Sequence, residues 1–81
     1  MGKVMKLYIK YFASVRDMMG KDSEVIDIDT NLTVFGLWET LTLNLKSDMK
    51  VMFAVNHEYV GKDFKLKQGD EIAFFPPVTG G

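Results

Sequence analysis

The sequence predicts an α+β fold, and three features carry that prediction. Early segments alternate apolar and polar residues, a central stretch spaces its apolar residues as a helix does, and the last third consists of apolar runs broken by turn residues. At 81 residues the chain makes one compact domain with a modest core.

From Lys6 to Phe12 the alternation puts Leu7, Ile9 and Tyr11 on one face and Tyr8, Lys10 and Phe12 on the other, which is a first strand. In "SVRDMMG", Ser14 is placed to cap the amide near Asp17 and Gly20 to end a short helix of about two turns. "EVIDID" alternates again, with Ile26 and Ile28 inward and Asp27 and Asp29 in water, and predicts a second strand antiparallel to the first.

Val34, Leu37, Trp38, Leu41 and Leu45 then recur at helical spacing behind a Thr33 cap. Leu41, Leu43 and Leu45 also alternate, and Gly36 with the β-branched Thr40 and Thr42 weakens a helix; the spacing is read as helix with Trp38 in the core. "KVMFAVN" is a near-continuous apolar run, the pattern of a strand buried on both faces in the middle of a sheet. Asn56 and His57 turn the chain into a brief segment, Glu58 to Val60, and Gly69 is the permissive residue of a later turn. In the last strand, Glu71 to Phe75, Ile72 and Phe74 face the core and Ala73 and Phe75 the opposite side. Lone His57 has no companion ligand and is given no chemical role.

Composition narrows the function. Ten basic residues, scattered along the chain, against 11 acidic ones leave a formal charge of -1 and no basic stripe, which argues against nucleic acid as a partner. With no cysteine there is neither a disulfide framework nor a thiolate metal site, and no metal is expected. No apolar run has the length of a signal segment or a membrane span, so a cytoplasmic protein away from membranes is expected.

The unusual stretch is "FFPPVTGG", Phe74 to Gly81. Pro76 and Pro77 fix φ and lack an amide donor, so the strand stops and the chain runs on extended. The reading is a folded domain over residues 1–75 and a tail over 76–81 that reaches about 20 Å, far enough to enter another protein's cleft. Gly80 and Gly81 have no side chain and pass where other residues cannot, which makes the terminal carbonyl carbon of Gly81 the reacting atom. At neutral pH that carboxylate resists nucleophiles and needs activation as a mixed anhydride with a nucleotide phosphate. The sequence holds no phosphate-binding loop, so a partner must bring the ATP.

"YFASVRDMMG" and, above all, "AVN…GDEIAFFPPVTGG" resemble the MoaD family of molybdopterin synthase sulfur-carrier subunits. The likeness covers nearly all the chain from Lys6 onward and is most specific over Gly69 to Gly81. It implies a β-grasp, ubiquitin-like fold, with a mixed sheet of about four to five strands crossed by one main helix and a short helix after the first strand. It implies that Gly81 is adenylated by an E1-like, MoeB-type partner and converted to a thiocarboxylate. The tail then enters the large, MoaE-type subunit and donates sulfur to a pyranopterin precursor, building the dithiolene of the molybdenum cofactor. On this reading the chain is not catalytic alone and binds no cofactor; the catalytic side chains belong to the large subunit. Phe12, Tyr59 and Phe75 fall on non-core phases and match positions where the family keeps hydrophobic contact residues, and Arg16 matches a family arginine able to contact a partner. Pro76, Pro77, Val78 and Thr79 form the segment a partner would hold. Two other readings stay open: a ThiS-like carrier for thiazole synthesis, and a ubiquitin-like protein modifier or an inert binding module.

Overall fold

The computed structural model describes residues 4–29, 31–43, 45 and 50–77. Strand β1 runs Met5–Tyr11, helix α1 Ala13–Met19, strand β2 Ser23–Ile28, helix α2 Val34–Leu41, and strands β3, β4 and β5 Met52–Val55, Glu58–Val60 and Glu71–Phe75. The strands form one sheet in the order β2-β1-β5-β3-β4. β5 lies at its centre, parallel to β1 and antiparallel to β3, while the β1/β2 and β3/β4 pairs are antiparallel. Mixed pairing with α2 supplying core residues is the β-grasp arrangement that the resemblance implies.

One face of this sheet is the core. The alternation of β1 buries Leu7, Ile9 and Tyr11 to within 1% exposure, and β5 does the same with Ile72 and Phe74. The helices bring Val15 from α1 and Val34, Leu37 and Trp38 from α2 onto them. Phe74 is the hub: its ring stacks on Tyr11 at 6.0 Å, meets Trp38 at 4.9 Å and abuts Phe53 edge-on at 5.7 Å. Fully burying a side chain of this size contributes about 1.5–3 kcal/mol, and offset or edge-on ring pairs add to it. The Tyr11 hydroxyl satisfies itself at the edge of the core by donating to Glu24 Oε2 at 2.5 Å.

Three details depart from the sequence reading. Ser14 does not cap α1. The helix begins two residues earlier, with Phe12 in the capping position and no side-chain cap bond. The reason is that Phe12 N–H is still held by Phe74 O at 3.1 Å while the Phe12 carbonyl already accepts from Val15 and Arg16; Ala13, at φ 51°, makes the abrupt turn between strand and helix. The other end agrees: Gly20 sits at φ 75° and returns its N–H to Arg16 O.

The second departure is the end of α2. Thr33 caps it as expected, its Oγ1 accepting from Gly36 N–H at 3.0 Å, but the helix stops at Leu41 and Leu45 is 43% exposed. Thr40 and Thr42 bond their hydroxyls back to Gly36 O and Trp38 O, the competition with the ladder that weakens helices at such residues.

The third is β3, which is not buried on both faces. It lies next to the central strand, with Phe53 and Val55 buried but Met52 42% exposed and Ala54 only half-buried. Both helices send their buried residues to the same core, and among the described residues no helix covers the other face of the sheet.

Two turns hold the β3–β5 end rigid. Asn56 and His57 both take positive φ, 52° and 71°, as a two-residue hairpin turn requires. Asn56 then bridges to the far loop. Its Nδ2 donates to Asp70 Oδ1 at 2.9 Å and its Oδ1 accepts from Glu71 N–H at 3.0 Å, while Asp70 Oδ2 accepts from Lys67 N–H. Asp70 is only 7% exposed, and these bonds are what make its burial tolerable.

Candidate functional site

The pleat that buries Phe74 and Ile72 turns their neighbours outward, so the uncovered face is built by the alternate residues of the same strands. Register places Lys10 beside Ala73, Ala73 beside Ala54 and Ala54 beside Tyr59, a row running across four strands. The next row pairs Phe75 with Met52. Phe12 follows directly on β1.

Lys10, Phe12, Ala54, Tyr59, Ala73 and Phe75, with His57 and Glu71, enclose a shallow hollow of about 410 Å³. On one side stand Phe12, 47% exposed, and Tyr59, 78% exposed, with Phe75 half-buried between strand and tail. The Tyr59 and Phe75 rings lie 5.7 Å apart at 54°, so each supports the other. On the other side is a charged rim: Glu71 has Oε2 at 3.4 Å from Lys10 Nζ and Oε1 at 3.2 Å from His57 Nε2. Ala54 and Ala73 lie between.

The sequence reading placed Phe12, Tyr59 and Phe75 as outward aromatics, and the structure brings all three to one hollow. Arg16 is not with them. It lies on α1 beside Asp17, Nε to Oδ1 3.9 Å, and borders a different depression with Gly20 and Lys21. Pro76 is half-buried directly after Phe75, and Pro77 is exposed at the edge of a groove that it shares with Phe35, Trp38 and Met52. Val78, Thr79, Gly80 and Gly81 lie outside the described residues.

Lys10, Ala54 and Glu71 were not singled out as site residues from sequence, and His57 was given no chemical role. Strand phase already set Ala73 beside Phe75 away from the core; what was missing was the register that lays Ala54 against Ala73 and Lys10 beside it. Among the described residues no cluster of three or more His, Cys, Asp or Glu could hold a metal, and no helix is long and apolar enough to cross a membrane.

The geometry therefore has two parts: an exposed aromatic hollow on a rigid sheet, and a proline-stiffened exit from the central strand at its edge. Such a surface is suited to docking, and the exit to delivering whatever follows it.

The chain is similar to known proteins over most of its length. Residues 9–81 match the ThiS family. The chain is 36% identical to the molybdopterin synthase sulfur carrier subunit of Escherichia coli (strain K12), over 90% of this chain and 96% of that one. Among solved structures it superposes on the putative molybdopterin converting factor, subunit 1, from Pyrococcus furiosus with a TM-score of 0.79 and 34% identity, covering 91% of this chain and 99% of the other. It is also similar to SAMP1 from Haloferax volcanii, with a TM-score of 0.76 and 26% identity over 94% and 99% of the two chains.

Proposed function

The chain belongs to the ThiS family, among the molybdopterin synthase sulfur carrier subunits, and from that membership we propose how it works. It is a sulfur carrier whose folded body is a docking module and whose reagent is the carboxyl group of Gly81. The observation that carries this is Phe75. It is the last residue of the central strand, part of the aromatic hollow through its contact with Tyr59, and the residue immediately before Pro76. A partner that docks on the hollow thereby receives the tail at a fixed origin and direction, and orientation of this kind is a large part of what a transfer reaction needs.

The chemistry runs through two partners. An E1-like adenylating enzyme binds ATP; the Gly81 carboxylate attacks the α-phosphorus, pyrophosphate leaves, and an acyl-adenylate forms. Hydrosulfide, or a donor at the same oxidation level, then attacks the carbonyl carbon, AMP departs and the proton is lost to solvent, leaving a thiocarboxylate. The large subunit of molybdopterin synthase next takes the tail into its active site, where the sulfur passes to a pyranopterin precursor and water restores the carboxylate. Phe12, Tyr59 and Phe75 anchor the docked body, Pro76 to Thr79 span the distance, and Gly80 gives clearance in the channel. Arg16, on a separate surface, is assigned to electrostatic contact at the periphery. Catalytic side chains come from the partners, and the site of action is the cytoplasm.

The test is an intact-mass measurement after incubation with an E1-like activating enzyme, ATP and a sulfur donor. Replacing one oxygen by sulfur adds about 16 Da, and deletion of Gly81 should abolish the gain with the fold unchanged. An unchanged mass for the intact chain would sink the proposal. The likeness to SAMP1, a small archaeal modifier protein, favours a second reading, in which the activated glycine joins target lysines. Bonds to lysine in the same experiment would establish it.

A further inference from the structure

Ala54 and Ala73 oppose each other in register, both facing outward, on β3 and the central strand β5. Alanine is depleted from strands, and an Ala–Ala pair forgoes the roughly 0.2–1 kcal/mol that aromatic or branched cross-strand pairs contribute. The fold itself gains nothing from two small residues there. Around them the same face carries large ones: Phe12, Tyr59 and Phe75, the last two braced against each other. A short floor inside tall walls is a socket.

Resting on the reading that the open face meets the large subunit, we propose that the Ala54–Ala73 floor receives one protruding, large apolar side chain of that subunit and sets its allowed size. The rim of Lys10 and Glu71, with the His57 ring beside them, limits the apolar ground to the width of the hollow, so a single knob fits and a broad greasy surface does not. An added strand is excluded as the occupant of this spot, because strand addition needs a free sheet edge and both alanines lie on inner strands. Phe75 makes the socket continuous with the exit of the tail, which ties the occupant to a protein that holds the tail, as the large subunit does on that reading. A desolvated pocket filled by one anchor is where interface energy concentrates.

The experiment titrates the full-length protein with the large subunit by calorimetry, using Ala73→Ser, Ala73→Val, Ala73→Leu and Ala54→Leu. Filling the floor should weaken binding in order of side-chain size, with Ser within about threefold of wild type and each Leu variant weaker by about thirtyfold or more, the scale of a hot spot. Thermal unfolding should be unchanged or slightly raised, because larger residues suit a strand. Val, favoured in sheets, keeps the outcome independent of folding should a Leu variant fold poorly. Val and Leu variants that bind within about threefold of wild type would overturn the socket alone. Failure of the wild type to bind the large subunit would instead remove the carrier reading, and the socket with it.

Discussion

The two faces of the sheet are made by the same strands and meet opposite fates. On the inner face Leu7, Ile72 and Phe74 are fully buried, and aromatic rings interlock across four elements. The outer face has equally large residues, Phe12, Tyr59 and Met52, that remain between 42% and 78% exposed. Residues one position apart, Phe74 and Phe75, thus belong to different tasks. The inner face spends its apolar surface on folding, and the outer face keeps apolar surface that folding leaves in water. Patches of that kind mark contact sites on small soluble domains.

Substitutions can break or sharpen this contrast. The largest effect is expected for Phe74→Ala, which empties the hub of the core and should cost about 3–5 kcal/mol in chemical denaturation, enough to unfold much of a domain this small. Its neighbour should behave in the reverse way. Phe75→Ala is expected to lower large-subunit affinity by about 2 kcal/mol while changing unfolding free energy by no more than about 1 kcal/mol. Equal losses of stability in the two variants would erase the distinction between the faces. A smaller effect, about 1 kcal/mol, is expected for Thr33→Ala, which removes the cap of α2 on the covered side and should leave calorimetric binding untouched.

The smallest effect at neutral pH concerns Tyr11. Burial first, then the hydrogen bond to Glu24 and that carboxylate's charge, push its phenol well above the usual value of 10.0. The folded state therefore favours the neutral phenol. Its contribution is fully present below the unfolded value and is lost as pH climbs through alkaline values beyond it. Denaturation curves should show stability falling above about pH 10 in wild type, and a shallower fall in Tyr11→Phe. Identical slopes would place the Tyr11 hydroxyl outside the core's energetics.

Most of the fold could be read in the sequence because period and punctuation agree there. Alternation in β1, β2 and β5, the Thr33 cap, and Gly20 and Gly69 at φ 75° and 84° each dictate a local geometry that tertiary packing then uses. Local readings failed where a residue serves two elements. Phe12 is both a sheet donor and the start of α1, which no capping rule for Ser14 anticipates. The error over β3 is more instructive. "VMFAV" is apolar on both phases, and an uninterrupted run normally signals burial on both sides. Here Met52 and Ala54 face outward instead. The surplus of apolar residues belongs to the open face of the sheet, not to a second core. As for the site, the three aromatics were visible by phase alone, whereas the alanine floor and charged rim depend on cross-strand register between segments far apart in the chain.

The position of β5 has a consequence for assembly. β1 with β2 and β3 with β4 make two separate ribbons, and β5 is the strand hydrogen-bonded to both. Until it arrives, the ribbons have no common sheet to join. Two-stranded ribbons alone are marginal in water, so a chain lacking β5 should yield an unfolded polypeptide, open to proteolysis, and not a stable blank that occupies the partner unproductively. Folding thereby checks that the chain has run through β5, the strand from which the tail departs, and leaves Gly81 itself uninspected.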